Sequence, residues 1–509
     1  MLAHWILSLL IWLPIVGGVV VLATGTGDRN PEAARWVALV FALLTLALCV
    51  PLLLGFDSNS YHMQFVENYS WIPWVHARYA LGVDGISILF IVLTCFTNVV
   101  IVLAAWKSVT RKVGQYMAIF LISTGIMNGA FAALDSLLFY VFWEASLVPM
   151  YLGIGIWGGE RKAYASIKFF LYTFLGSIFM LIAFLYMAGK SGNFSIMGFQ
   201  SLHLTATEQD WIFLAFLAAF AVKIPMWPVH TWLPDAHTEA PAGGSVVLAA
   251  LMLKMGAYGF LRFSLPIVPG VHASFDWLLI VLSLIAIVYV GFASIVQTDM
   301  KRLIAYSSVS HMGLVTLGIF MVFMILGKTH DKVDAMISVQ GAVFQMIAHA
   351  FSSGALFLGV GYIQQRFGSR MIRDYQGVAH VMPIFAAFFM LFAMANVGLP
   401  GTTGFVGEFL VVISAFKANI WIALLAATTL VIAPAYTLWM YKRVLFGEWQ
   451  HPTLQQSVDV TPLEILVMLL LAVPVLVFGI YPEPILHIAH ATTLHFIDHV
   501  LMRLPVGAY

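Results

Sequence analysis

Long apolar runs separated by short polar ones make up almost the whole chain. Segments such as "LAHWILSLLIWLPIVGGVVVLA" and "FDWLLIVLSLIAIVYVGFASIV" exceed the ~20 residues that span a bilayer as a helix. Hydrocarbon offers the backbone no hydrogen-bond partners, so such runs are expected as helices. A membrane β-barrel would instead show alternating segments of ~10 residues, and that pattern is not seen. Fourteen spans are predicted, near 2–23, 34–54, 84–106, 115–134, 136–157, 164–188, 209–229, 243–264, 275–297, 303–326, 341–363, 382–414 (interrupted), 418–441 and 462–482. The expected class is an all-α polytopic membrane protein with a single transmembrane domain. After the fourteenth span only a short tail is expected.

Basic residues give that count direction. Loops joining an odd span to the next even one hold Arg29, Arg35, Lys107, Arg111, Lys112, Arg161, Lys162, Lys301, Arg302, Arg366, Arg370, Arg373, Lys442 and Arg443. The opposite face holds half as many: Arg78, Lys190, Arg262, Lys328, Lys332, Lys417 and Arg503. Loops rich in lysine and arginine stay in the cytoplasm, so the odd loops are expected inside and both termini outside. The first run lacks a basic leader and is read as a helix rather than a cleaved signal.

Composition narrows the function further. Charged residues make up 9% of 509 and the net charge is +1, which gives no footprint for nucleic acid. The two cysteines, Cys49 and Cys95, lie within apolar runs, and there is no CxxC. No Fe–S, zinc or disulfide framework is indicated. The glycines of "PAGGSV" follow no strand and are not read as a phosphate loop.

Ionisable residues inside the spans carry the candidate chemistry, because each costs roughly 2.5–3.5 kcal/mol or more at mid-membrane. They are Glu144 in "FYVFWEASLVPMY", Lys223 in "AFAVKIPMWPVH", Lys254 in "LAALMLKMGAY", His311 in "SSVSHMGLV", His349 in "QMIAHAFSSG" and Glu408 in "GLPGTTGFVGEF". Secondary candidates are Lys168, Asp135, His230 and His237. Bland roles stand beside these. An intramembrane Glu–Lys pair can be structural, and a lone His can simply bond a hydroxyl such as Ser308, Ser310 or Ser352. Lys168 can extend to the interface. Asp84, Asp135 and Asp235 lie at span edges, where capping is the default.

Two spans should break at membrane depth. Pro225 and Pro228 remove donors and free the carbonyls of Ala221 and Ile224, while "GLPGTTG" interrupts the chain ahead of Glu408. Irregular backbone at that depth survives where it is buried in protein or faces water. The broken spans, the seventh and twelfth, are five apart, which predicts two inverted five-helix repeats. The expected organisation is residues 1–109 (helices 1–3), 110–265 (helices 4–8), 272–443 (helices 9–13) and 444–509 (helix 14 and tail). The charges would then form a polar path along the membrane plane for protons or small cations.

Together these motifs, with "AFAVKIPMWPVHTWLPDAHTEAPAGGSVVLAALMLK" and "DMKRLIAYSSVSHMG", closely resemble the antiporter-like subunits of respiratory complex I, NADH–quinone oxidoreductase. These are relatives of the Mrp-type cation/proton antiporters. The resemblance covers nearly the whole chain. Glutamate in "FVGEF", where the L and N types usually carry lysine, resembles the M type, the chain 4 family. It implies that Glu144 pairs with Lys223 at proton input, that Lys254 is the central relay, that His311 and His349 connect the halves, and that Glu408 exchanges with the output. It further implies no cofactor in this chain, with FMN, Fe–S clusters and quinone in other subunits. Implied partners are the L-type and N-type subunits and lipids, in a bacterial cytoplasmic membrane. The alternatives are an Mrp-type cation/proton antiporter subunit and, more remotely, a cytochrome with haem on His311 and His349.

Overall fold

In a computed structural model of the chain, residues 4–25, 30–448 and 459–503 are described. Helices dominate them. They are α1 (Ile6–Gly25), α2 (Pro31–Leu54), α3 (Ser87–Ser108), α4 (Val113–Ala132), α5 (Ser136–Trp157), α6 (Lys162–Ser191), α7 (Ala206–Lys223) and α8 (Trp232–Glu239). There follow α9 (Ala242–Ile267), α10 (Phe275–Ile295), α11 (Met300–Phe320), α12 (Lys332–Phe367), α13 (Pro383–Asn396), α14 (Thr403–Ala418), α15 (Ile420–Leu445), α16 (Pro462–Ile480) and α17 (Glu483–Met502). Eleven of these are long and apolar enough to cross a membrane. The other segments expected to span are α4 and the two interrupted ones, α7 with α8 and α13 with α14.

Polar caps fix where several helices begin. The Asp135 carboxylate accepts from Leu137 N (3.0 Å) and Leu138 N (3.1 Å) at the start of α5. Asp299 accepts from Lys301 N (2.8 Å) and Arg302 N (3.2 Å) at α11. Thr205 with Glu208, and Thr461 with Glu464, close reciprocal capping boxes on α7 and α16. Each satisfies donors that an isolated helix end leaves open.

The 36-residue α12 lies at the centre, packed by α9, α11, α13, α14, α16 and α17. The most apolar stretches of α9 and α12 are wholly buried, whereas the matching stretches of α2 and α16 are 28% buried. Polar residues are thus tolerated on the inner helices, and leucines, valines and tryptophans cover the outer ones.

Two features depart from the sequence expectation. The loop between α2 and α3 folds into an antiparallel hairpin, β1 (Gln64–Ile72) with β2 (Ala77–Val83), in which Tyr69 faces Tyr79 and Asn68 faces Ala80. Its buried Glu67 accepts from Leu7 N (2.9 Å) and Ser8 N (3.1 Å), capping α1 from a distance. Residues 483–502, expected within a tail, form the 20-residue helix α17. Its apolar positions Ile485, Ala489, Phe496, Ile497 and Val500 are buried, while its histidines and threonines keep it too polar to read as a span.

Candidate functional site

The seventh span breaks where its prolines place the break. Helix α7 ends at Lys223, and α8 resumes at Trp232. The sequence expects the carbonyl of Ala221 to be free, but Met226 N donates to it (2.8 Å). Trp232 Nε1 likewise donates to Val222 O (2.9 Å). The break is therefore held by hydrogen bonds among its own residues.

Lys223 is 1% exposed. Its ammonium sits 4.9 Å from the centre of the Trp143 ring and donates to Ser146 Oγ (3.3 Å). Glu144 is only partly buried and makes no direct ion pair with Lys223 among the described residues. The expected contact pair is instead a lysine held by the indole face and hydroxyl that flank Glu144 in sequence. A cation over an aromatic face gains ~2 kcal/mol when desolvated, which helps hold the charge at this depth. Glu144 Oε1 has no protein partner.

Lys254 is fully buried on α9. The helix widens into a π-turn over Leu248–Met252 just before it, a distortion frequent at functional sites. The Lys254 amine donates to Ala249 O (2.5 Å) and meets His349 Nδ1 at 2.7 Å. The other nitrogen, His349 Nε2, meets Ser353 Oγ at 3.0 Å. Both ring nitrogens are thus engaged by protein neighbours, a poor arrangement for a haem ligand. The hydroxyl partner is Ser353, not Ser352; Ser308 and Ser310 bond backbone carbonyls of Ile304 and Ile287.

The His311 ring lies 5.9 Å from that of His349, centre to centre. His311 Nδ1 lies 3.1 Å from Glu408 Oε1 without forming a hydrogen bond to it. Tyr436 OH approaches His311 Nε2 at 3.5 Å, and Gln345 Nε2 approaches Glu408 Oε1 at 3.5 Å. Glu408 is 1% exposed and sits one turn into α14. The break before it passes Gly398 at φ +75°, where an added Cβ would lie 2.8 Å from Glu408 Oε2. Glycine there admits both the left-handed backbone and the close approach of the carboxylate.

Lys254, His349, His311 and Glu408 therefore form one buried row along α9, α12, α11 and α14. Amine, imidazole and carboxylate can each hold or give a proton; Lys254 meets His349 and His311 lies beside Glu408, while the two rings are 5.9 Å apart. Of the secondary candidates, Lys168 pairs with Asp235 (2.7 Å) near the start of α8. His237 is fully buried, stacked on Phe357 (4.4 Å between ring centres), with no protein partner on either nitrogen. His230 is buried with Nδ1 unpartnered. Asp135 is spent on its cap and on Arg78 N (3.0 Å). Trp143, Ser146, Gln345, Ser353 and Tyr436 belong to the site and are not singled out by sequence. Ser146 and Trp143 adjoin Glu144, and Gln345 and Ser353 flank His349 by one turn each. Among the described residues no three His, Cys, Asp or Glu side chains gather as metal ligands.

The family model described as "NADH:quinone oxidoreductase/Mrp antiporter, TM" matches residues 133–433. The chain is 47% identical to NADH-quinone oxidoreductase subunit M of Rhodobacter capsulatus, covering 97% of this chain and 96% of the relative. It is 38% identical to NADH-ubiquinone oxidoreductase chain 4 of Marchantia polymorpha, covering 97% of each. Its fold matches a chain of respiratory complex I from Thermus thermophilus with TM-score 0.85 at 30% identity, covering 97% of this chain and 99% of that one. The chain belongs to the NADH:quinone oxidoreductase/Mrp antiporter transmembrane family, in the branch of NADH-quinone oxidoreductase subunit M and NADH-ubiquinone oxidoreductase chain 4.

Proposed function

We propose that this chain is the proton-translocating, antiporter-like membrane subunit of an NADH:quinone oxidoreductase. Electron transfer from NADH to quinone occurs on other subunits, which carry the FMN and Fe–S clusters. In this chain Glu144 and Lys223 load the proton, Lys254 relays it, His349 and His311 carry it across, and Glu408 hands it to the output side. The observation that carries this reading is the buried sequence of contacts Lys254–His349 and His311–Glu408. Lys223 and Glu144 act through the field between them. Moving the carboxylate nearer favours the ammonium, and moving it away favours the free amine. Such groups titrate as a set, so a charge change at one end alters proton affinity at the next.

The neighbours in the membrane arm are L-type and N-type antiporter-like subunits and lipid. The membrane is the bacterial cytoplasmic membrane, with the basic odd loops inside and both termini on the periplasmic side. An Mrp-type antiporter subunit is the second reading, since the matched family includes both kinds. Copurification with peripheral redox subunits separates the two.

Glu144→Ala is expected to abolish pumping and to depress quinone reduction about tenfold or more, as losing 1.4 kcal/mol of barrier stabilisation would. Glu144→Asp should retain part of both. The measurement is the NADH-driven pH gradient and the quinone reduction rate in assembled complexes. Pumping that persists in Glu144→Ala would make the carboxylate merely structural.

A further inference from the structure

Helix α9 carries a second set of polar residues that the relay does not use. Tyr258 and Arg262 follow Lys254 at intervals of four, on the same face, at ~6 Å of rise per step. They lead from the relay toward the surface that carries the even loops. Tyr258 OH donates to Phe131 O (2.9 Å) and accepts from Arg262 Nε (3.0 Å). Arg262 also pairs with Asp84 (2.6 Å), which is 2% exposed. The second Asp84 oxygen accepts from Ile86 N (3.1 Å) and Ser87 N (2.9 Å). Above this knot lies a cavity of about 510 Å³ lined by Tyr61, His62, Tyr258, Arg262, Thr492 and His495. Tyr61, His62 and His495 are exposed at its mouth. A space large enough for water thus reaches within about one helical turn of the central lysine.

What separates the two differs in kind from the relay. In the relay Glu144 Oε1, His311 Nδ1 and Glu408 Oε2 lack hydrogen-bond partners, whereas among the described residues no buried polar atom of Asp84, Tyr258 or Arg262 does. A proton or water crossing the knot would have to break bonds that are already made, leaving buried groups unpaired. A fixed guanidinium also repels protons in a narrow polar passage, and Arg262 cannot give its proton up. Helix α17 covers the knot closely: Gly85 N donates to Thr492 Oγ1 (2.9 Å), and a Cβ on Gly85 would lie 2.0 Å from Ile488 O.

We propose that Arg262, locked by Asp84 and Tyr258 under α17, is the outer seal that keeps protons in the cavity from reaching Lys254. The seal rests on the relay reading above, because it is needed only if Lys254 holds a transferable proton. The test uses the whole purified complex in proteoliposomes without NADH, where a potassium diffusion potential drives passive proton entry through the protein, read by a pH-sensitive dye. Arg262→Met should raise that leak several-fold and make NADH oxidation insensitive to added uncoupler. Arg262→Lys keeps a cation beside Asp84 and should leak less than Arg262→Met. Arg262→Met combined with Lys254→Met should be tight again. Liposomes with Arg262→Met as tight as wild type overturn the proposal, as does a leak that persists in the double variant. If Arg262→Met fails to assemble, Arg262→Gln removes the charge but keeps donors for Asp84 and Tyr258, and a tight complex with it overturns the seal equally. Failure of the relay reading would show separately, as normal pumping in Lys254→Met alone.

Discussion

Lys254→Met is expected to remove proton translocation while leaving the complex assembled. Methionine fills nearly the volume of the lysine stem, so the wholly buried site on α9 keeps its packing. The substitution removes a buried amine and leaves Ala249 O and His349 Nδ1 without their donor. Each such unpaired group costs about 1–3 kcal/mol, offset in part by no longer burying the polar amine. The fold should survive that. The chemistry should not, because the amine is the titratable group in hydrogen-bond contact with His349 among the described residues. A positioned proton donor contributes roughly 10²–10⁴ in rate, so coupled quinone reduction should fall about 100-fold. A native gel showing assembled complex together with the quinone reductase rate checks this. Assembled complex at wild-type rate would place the proton path elsewhere.

Glu408→Gln is the second large effect. The amide is isosteric, and Gly398 leaves room beside it. It cannot accept a proton and carry it onward, and it cannot stabilise a charged imidazole at His311, 3.1 Å away. Pumping should be lost, with quinone reduction depressed about tenfold or more, equivalent to at least 1.4 kcal/mol. Glu408→Asp shortens the side chain but keeps its charge and should recover part of the activity. The comparison is made on the pH gradient per NADH oxidised. Equal gradients for glutamine and glutamate would show that Glu408 need not titrate.

Much of this site is legible in sequence because its members break a strong rule. Six ionisable side chains stand in runs where lipid solubility forbids them, and the prolines and glycines beside Lys223 and Glu408 mark where the helices open. Pairing is not legible, because it depends on how distant helices turn. Glu144 and Lys223 are 79 positions apart in the chain, yet the lysine bonds the hydroxyl two residues beyond the glutamate. Lys254 finds His349 across 95 residues. Helix α17 is missed because its spacing of His487, His490, His495 and His499 dilutes its apolar face. The hairpin is missed because its polar and aromatic residues fit a loop equally well. Arg262 and Asp84 each look like an edge residue until the fold joins them across 178 positions.

The central claim is that this row of buried charges moves protons in step with electron transfer. It is tested most directly in inverted membrane vesicles carrying Lys223→Ala, with NADH-driven quinone reduction and the pH gradient recorded together. The account predicts that both fall while the complex remains assembled. NADH oxidation and a pH gradient both equal to wild type would contradict it, and would turn attention to cation/proton exchange outside a redox complex.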